Sequence, residues 1–470
     1  MTKLFGAAGA IAIVLATVPA AQPVAAWISE PLPQQTEIKL SLVGMGSQPK
    51  VGLPDFTVEA GDKELSDAVA MLVDVLWADL DYEKEYYLIP RKASASIPVV
   101  ADAPSLPFGR WREVGAEYVI LGNVKKLAGN LDIEFRFVSV REDSPGVEKF
   151  SWHYGGSGCA IKNARFCAHF ISDDFHKKTR NLDGVARTKL AFASDRDASR
   201  MTGRQIQNSG NGKEIYIADY DGANQLPVTA NRNLNVAPVW SPDARDLAYT
   251  SWVSGFMDVY VRSLYDARPP SRPGGASNDI ENNLAAWSPD GSKLAFASTR
   301  SGDWDIYVVN RDGTGLRNIT NFPRGTDNAP TWSPTGAQIA FTSDRTGSNQ
   351  IYVIGADGVG LRQLTFGCQG CDRPTWSPLN VIAYTAGAGP GHDIYALDLA
   401  SNQTRQITDG QGSNESPTFA PNGRHIAFVT TRWGKEQVAT VDITGRRDSI
   451  RRVTDLGNNR YPNWSRTPGQ

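Results

Sequence analysis

The sequence is poor in the residues from which most catalytic and metal sites are built. Only five histidines and four cysteines occur among 470 residues. No histidine lies in an HExxH pattern or at the spacing of a catalytic triad, and no P-loop or glycine-rich dinucleotide motif is present. Residues 155–158 (Gly-Gly-Ser-Gly) approach a nucleophile elbow, but Cys159 stands where the final glycine belongs. We therefore expect no catalytic residues, no metal site, no cofactor and no enzymatic activity.

An excess of positive charge is also absent. Lysine and arginine number 48 against 50 aspartates and glutamates, which gives a net charge of -2. A nucleic-acid partner would require a basic face, so we expect none. After the first 26 residues no apolar run is long enough to span a bilayer, which requires about 20 residues. Hydrophobic residues make up 41% of the chain, enough for a buried core. We expect a monomer.

The N-terminus has the pattern of an export signal. Lys3 precedes an uncharged apolar run at 4–18, and small residues follow, with possible cleavage after Ala20 or Ala26. A membrane anchor is the alternative, but the run is short for that role. We predict a signal peptide at 1–26 and an extended arm at 27–37, which contains Pro31 and Pro33.

The four cysteines form two close pairs in the sequence. Cys159 lies near Cys167, and Cys368 lies near Cys371. In an exported protein each pair is expected to form a local disulfide. The second pair is also a CxxC motif, and redox activity is the alternative. That chemistry requires the first cysteine at a helix N-terminus, whereas Cys368 is predicted between strands.

An internal repeat dominates the second part of the chain. Six aromatic residues, which we call the anchors, recur at intervals of about 45 residues: Trp240, Trp287, Trp332, Trp376, Phe419 and Trp464. Five anchors have a proline two residues earlier, and four are followed by Ser-Pro. A repeat of this length is typical of propeller blades or solenoids.

Each anchor is followed by further runs of strand-like residues. The anchor run is the first strand of each repeat. The second run resembles 294–298 (Leu-Ala-Phe-Ala-Ser), the third resembles 305–308 (Asp-Ile-Tyr-Val), and the fourth ends in threonine, as at 316–320. The turn sequence Ser-Pro-Asp-Gly at 288–291 suits the connection between the first two strands. Four short antiparallel strands per repeat make one propeller blade. We predict six blades over 186–470, with the last anchor strand completing the first blade and so removing open sheet edges.

Residues 38–185 lack the repeat and are predicted to form a smaller α/β domain. Strands are expected near 38–43, 50–56, 86–89, 117–124 and 131–140. Apolar residues at helical spacing over 65–80 predict an amphipathic helix, and 161–177 predicts a second. The fold class is therefore mainly β: a six-bladed β-propeller at the C-terminus behind an N-terminal α/β domain.

The loops before the anchors are expected to share one end of the propeller. These loops vary among blades and are polar, which is typical of a binding surface on a rigid frame; they cover 233–237, 281–284, 326–329, 368–373, 414–416 and 459–461. One arginine recurs after the second strand of four blades, as Arg196, Arg300, Arg345 and Arg432. These arginines form either a cationic ring for an acidic ligand or pairs with nearby aspartates. Trp304 and Trp433 are either exposed anchors for a partner or packed against their own blades.

These features together resemble the TolB family over essentially the whole mature chain. Residues 111–122 (Trp-Arg-Glu-Val-Gly-Ala-Glu-Tyr-Val-Ile-Leu-Gly) are similar to the strand entry of its N-terminal domain. Residues 187–192 (Arg-Thr-Lys-Leu-Ala-Phe) are similar to its crossover into the first blade. The repeat itself is shared with many propellers and is less specific.

The resemblance implies a periplasmic scaffold of the Tol–Pal envelope system. Such a protein binds a Pal-like lipoprotein through the open face of the propeller and offers its N-terminal arm, here 27–37, to a TolA-like protein. The predicted partner-binding residues lie in the loops before the anchors: Glu281, Leu284, Asn328, Arg373, Glu415 and Arg460. The alternative is an exported propeller that binds a sugar or peptide, or assists a separate hydrolase.

Overall fold

A computed structural model describes residues 48–155, 159–198, 212–277 and 279–467. The predicted signal peptide (1–26), the arm (27–37) and the strand expected at 38–43 lie outside these residues. Across the described part of the chain, none of the helices has both the length and the apolar character needed to cross a membrane.

The N-terminal domain is built on a mixed sheet. Its strands are β1 (Lys50–Gly52), β2 (Thr57–Val58), β3 (Tyr87–Leu88), β4 (Tyr118–Leu127), β5 (Asn130–Ser139) and β6 (Glu148–Tyr154). They are ordered β3-β1-β4-β5-β6, and β2 pairs with β4. Strand β1 runs parallel to both of its neighbours, whereas β4, β5 and β6 are antiparallel. Strand β6 at the edge was not among the predicted strands.

Two long helices cover this sheet. The helices are α1 (Lys63–Glu83), α2 (Arg91–Ser94), α3 (Phe108–Glu113) and α4 (Ala164–Arg180). Helix α1 begins where the Asp62 side chain accepts a hydrogen bond from the Leu65 N–H, which satisfies one free donor of the first turn. Its predicted apolar stripe is buried in the domain core. The second predicted helix begins at Ala164 because 161–163 form a 3-10 turn.

The propeller has six blades, which confirms the predicted fold class. Blade 1 contains β7 (Lys189–Ser194), β8 (Glu214–Asp219), β9 (Leu226–Pro227) and, from the C-terminus, β29 (Asn459–Trp464). Blade 2 contains β10 (Asn235–Trp240), β11 (Asp246–Ser251) and β12 (Asp258–Ser263). Blade 3 contains β13 (Asn282–Trp287), β14 (Lys293–Ser298), β15 (Asp305–Asn310) and β16 (Arg317–Asn318).

Blades 4, 5 and 6 each have four strands, as blade 3 does, whereas the sheet of blade 2 has three. Blade 4 contains β17 (Asp327–Trp332), β18 (Gln338–Ser343), β19 (Gln350–Gly355) and β20 (Arg362–Gln363). Blade 5 contains β21 (Asp372–Trp376), β22 (Val381–Ala388), β23 (Gly391–Asp398) and β24 (Gln403–Gln406). Blade 6 contains β25 (Asn414–Phe419), β26 (His425–Thr430), β27 (Gln437–Asp442) and β28 (Arg451–Arg452).

The last strand closes the ring. Strand β29 pairs antiparallel with β7, so Trp464 lies opposite Leu190. The Trp464 indole N–H donates to the Thr188 hydroxyl at 2.7 Å, and both residues are buried. Strand β29 thus occupies the innermost position of blade 1, where an open edge would otherwise expose unpaired backbone groups.

A polar seam joins α1 and α4 to blades 1 and 6. The Asp79 carboxylate accepts from the Tyr220 hydroxyl at 2.7 Å and lies 2.8 Å from the His169 ring. Arg424 of blade 6 binds Glu83 at 2.7 Å and Glu85 at 2.6 Å. Asp79 and Glu83 are buried, so their carboxylates are shielded from water. The hydrogen bonds and ion pairs with these partners offset the hydration that the carboxylates lose.

Candidate functional site

The six innermost strands surround a cavity at the centre of the ring. Its lining includes residues from β10, β13, β17, β21, β25 and β29. One lining residue in each strand has a left-handed backbone: Ala237, Leu284, Ala329, Arg373, Ser416 and Tyr461, with φ between 49° and 55°. The pairing of each strand with its neighbour shifts register around this residue. We call these six residues the bulge ring.

Hydrogen bonds between blades stabilise the bulge ring. The backbone N–H of Leu284, Arg373 and Ser416 donates to a threonine hydroxyl of the preceding blade, at 3.0 to 3.2 Å. In five blades the next residue is a proline, which has no N–H to leave unpaired at the bulge. The proline that lies two residues before five of the six anchors therefore helps to shape the mouth of the channel.

The structure corrects the predicted position of five partner-binding residues. Leu284, Asn328, Arg373, Glu415 and Arg460 were assigned to loops but lie within the first halves of the innermost strands. The bulge interrupts alternation, so the sequence before each anchor does not have a strand pattern although its backbone is paired. Glu281 remains outside a strand, one residue before β13.

The structure nevertheless brings these residues to one end of the channel. Leu284 and Arg373 belong to the bulge ring, and Asn328, Glu415 and Arg460 each precede it by one residue in their own strands. The Arg373 guanidinium lies 4.5 Å from the centre of the Tyr461 ring. Tyr461 was predicted only as part of a loop. Its position before a proline, equivalent to that of Arg373, is the signal that identifies it.

Two charged residues at the mouth, Glu415 and Arg460, lie against partner side chains. The Glu415 carboxylate lies 3.3 Å from His392, and Arg460 binds Glu436. The hydrogen bonds that the Arg460 guanidinium donates to the Glu436 carboxylate raise the pKa of Arg460 above its ordinary value, so this side chain stays cationic. The mouth therefore presents fixed charges of both signs, which suits a polar protein surface better than a small ligand of one charge.

The four repeated arginines do not form a cationic ring. Both carboxylate oxygens of Asp327 accept from Arg345 at 2.9 Å, and the Arg345 side chain is 9% exposed. Arg432 pairs with Asp409 at 3.2 Å. Arg196 donates to Asn459, and Arg300 donates to the carbonyl oxygen of Gly274. These contacts favour the structural alternative, although two of the partners are not aspartates.

The two candidate tryptophans differ. Trp304 is partly buried and packs against the cluster between blades 3 and 4. Trp433 is 39% exposed and lies beneath Arg432 and Arg452. Trp304 is thus part of its blade, whereas Trp433 keeps an accessible edge.

Disulfides join Cys159 to Cys167 and Cys368 to Cys371. The second bridge closes a loop immediately before β21, not a helix N-terminus, so it lacks the setting of a redox motif. Among the described residues, no group of three or more His, Cys, Asp or Glu side chains is placed to hold a metal ion. The buried pair His169 and Asp79 is only 5% and 1% exposed and is therefore closed to substrates.

The fold defines the class of this protein, a six-bladed β-propeller behind an α/β domain. The model of the TolB beta propeller domain matches residues 178–468, and that of the TolB amino-terminal domain matches residues 42–145. A Tol-Pal system protein TolB from Bordetella avium is 34% identical over 439 residues, covering 92% of this chain and 91% of that protein. The Bordetella pertussis protein of the same name is 32% identical and covers 92% of each chain. The chain belongs to the TolB family.

A solved structure agrees at the level of the fold. The crystal structure of TolB from Acinetobacter baumannii is 20% identical, with a TM-score of 0.72, and covers 89% of this chain and 97% of that chain. The likeness therefore extends over both the α/β domain and the propeller.

Proposed function

We propose that this chain is a periplasmic, non-enzymatic scaffold of a Tol–Pal envelope system, and that its channel mouth binds a Pal-like lipoprotein. The observation that carries this proposal is that five predicted contact residues lie in the first halves of the innermost strands, where two of them, Leu284 and Arg373, line the central cavity. Membership of the TolB family, whose curated relatives are named Tol-Pal system proteins, supplies the partner class.

The mouth has the chemistry of a protein-binding surface. Arginine and tyrosine are the residues that most often carry binding energy at such surfaces, and Arg373 lies over Tyr461 at its centre. Ion pairs such as Arg460 with Glu436 give it a polar rim. The frame does not have to reorganise to bind, because the bulge ring is held by hydrogen bonds between blades.

The proposal is tested by measuring the affinity of the whole mature chain for the Pal-like lipoprotein of the same organism by calorimetry. Replacing Glu281→Lys together with Asn328→Ala should weaken binding by about 1–3 kcal/mol, and Arg373→Ala by a similar amount. Asp312→Lys, in a turn at the opposite end of blade 3, is the matched control and should bind as the parent does. Unchanged affinity in both mouth variants would exclude this face.

We further propose that 27–37 binds a TolA-like protein. Deleting this arm should abolish capture of the TolA-like protein and leave the affinity for the Pal-like lipoprotein unchanged. A deletion variant that still binds the TolA-like protein would assign that contact to another part of the chain.

A further inference from the structure

In blade 4 the side chain of Arg345 lies among three aromatic rings. The Arg345 guanidinium lies 4.6 Å from the ring centre of Phe322, 5.5 Å from that of Phe341 and 4.9 Å from that of Tyr352. Phe322 comes from the loop after β16, and the other two rings face each other across β18 and β19. Aromatic faces attract a cation, so this arrangement is a cage with its own occupant.

Blade 5 repeats the three walls of this cage. Tyr384 and Tyr395 lie opposite each other across β22 and β23, in the register that Phe341 and Tyr352 have in blade 4. Their ring centres are 6.1 Å apart. Phe366 comes three residues after β20 and Phe322 four residues after β16, so each lies in the loop that leads to the next blade without occupying the same position in the repeat. These three aromatic residues line one cavity of about 460 Å³, which we call the blade-5 cage.

The polar side chains of the blade-4 cage are all replaced in blade 5. Arg345 stands four residues after Phe341, and the residue four after Tyr384 is Ala388. In the same alignment Ala386 replaces Ser343, whose hydroxyl is hydrogen-bonded to Arg345. Asp327 stands five residues before its anchor, where blade 5 has Cys371.

The blade-5 cage is therefore aromatic and uncharged. No Lys, Arg, Asp or Glu appears among the described residues that line it. Nor does any described lysine or arginine lie over the rings of Tyr384 and Tyr395, whereas Arg196 and Arg345 lie over the equivalent pairs in blades 1 and 4. The neutral amides of Gln369 and Asn402 supply polar groups without charge.

The loop beside the cage is held in place. The Cys368–Cys371 disulfide closes it, and the Cys368 carbonyl oxygen accepts from the Gln350 side chain at 2.9 Å. Gly387 donates to the carbonyl oxygen of Gln369 at 2.7 Å, an approach that a Cβ at this position would crowd at 2.9 Å. A ligand would thus meet walls that are already positioned.

We propose that the blade-5 cage binds a quaternary ammonium group of the choline class. Three aromatic faces favour a cation. A guanidinium or primary ammonium would find neither the carboxylate of Asp327 nor the hydroxyl of Ser343 that Arg345 has in blade 4, and a charged donor without a charged acceptor is less well compensated for its lost hydration. A quaternary ammonium has no N–H groups, so it gains the aromatic contact without that loss.

The test is a calorimetric titration of the whole mature chain with choline, its neutral isostere 3,3-dimethylbutan-1-ol, and methylguanidinium at equal ionic strength. Choline should bind saturably. The affinities of the alcohol and of methylguanidinium should be lower by a factor of roughly ten or more. Absence of saturable choline binding, equal binding of the alcohol, or tighter binding of methylguanidinium would each overturn the proposal.

Variants locate the site. Phe366→Ala should weaken choline binding by roughly tenfold, and because Phe366 is 77% exposed the variant should melt as the parent does. Tyr265→Ala, at an exposed aromatic residue of blade 2, is the matched control and should bind choline unchanged. Full affinity in Phe366→Ala would overturn the assignment to this cage.

A second variant introduces into blade 5 the arginine that Arg345 provides in blade 4. Ala386→Ser with Ala388→Arg restores a guanidinium to the sheet face that carries Tyr384, and should suppress choline binding. Vesicles of phosphatidylcholine, compared with phosphatidylglycerol vesicles, separate a lipid headgroup from a free solute. None of these measurements involves the Pal-like lipoprotein, so their outcome is independent of the proposed function.

Discussion

Two buried histidines should make the seam between the domains sensitive to acid. His425 begins β26, is 3% exposed and stacks on Tyr82 with ring centres 4.5 Å apart. His176 lies in α4 and is fully buried, and its Nδ1 is 2.9 Å from the carbonyl oxygen of Ser172. Burial lowers the pKa of each histidine to about 4, because a charged ring would lose its hydration.

The sign and size of the effect follow from proton linkage. An unfolded histidine has a pKa of about 6.5, so between pH 6.5 and pH 4 the unfolded chain binds protons that the folded chain excludes. Each histidine should therefore reduce the free energy of unfolding by about 2 kcal/mol at pH 5 relative to pH 7. Burial raises the pKa of Asp79 and Asp173. These carboxylates act in the opposite direction, so the total change does not isolate the histidines.

A substitution isolates one histidine. His425→Phe keeps a ring against Tyr82 but removes the titrating group, so urea unfolding should show about 2 kcal/mol less destabilisation between pH 7 and pH 5 than in the parent. Leu226→Phe, at an exposed position on β9, is the matched control because it introduces phenylalanine without removing a histidine, and it should keep the parental pH dependence. If His425→Phe loses as much stability on acidification as the parent does, the reasoning is wrong.

Three further substitutions test the forces that hold the ring and the seam. Trp464→Ala removes a buried anchor of the closing strand and should cost about 3–5 kcal/mol in urea unfolding; a loss below about 1 kcal/mol would contradict closure by β29. Arg424→Ala leaves the buried Glu83 without its cation and should cost about 3–5 kcal/mol; a loss below about 1 kcal/mol would contradict the pairing. Gly222→Ala should cost at least about 2 kcal/mol, because its φ is +90° and a Cβ would meet a backbone carbonyl oxygen. Gly255→Ala has φ +91° and open space, so a loss of about 1 kcal/mol is expected, and equal losses would refute the steric argument.

Much of the fold could be predicted because its signals are local. The anchors repeat at nearly constant spacing, and each is followed by turn residues whose backbone preferences are strong. The stripe over 65–80 predicted α1 because a helix with one buried face needs that spacing. Strand β6 was missed although 148–154 alternates polar and aromatic residues; as an exposed edge strand it has no continuous apolar run.

The site was predicted less completely because its contacts depend on closure of the ring. Arg373 and Tyr461 are far apart in the sequence and meet only because β29 returns to blade 1. The bulge ring was hidden for another reason. The six left-handed residues, five of which precede proline, share no type of side chain: they are alanine at two positions and leucine, arginine, serine and tyrosine at the others.

The blade-5 cage shows how departures from a repeat can be interpreted physically. Losing Arg345 alone would leave Asp327 as a buried carboxylate without a cation, which is costly; in blade 5 both positions have changed together. Aromatic residues nevertheless occupy the positions of Phe341 and Tyr352, and Phe366 supplies a third from the neighbouring loop. Packing accounts for Tyr384, which is buried, but not for Phe366, which is 77% exposed and contributes little to the core. An exposed wall kept beside an altered pocket is what binding a ligand requires and what packing does not.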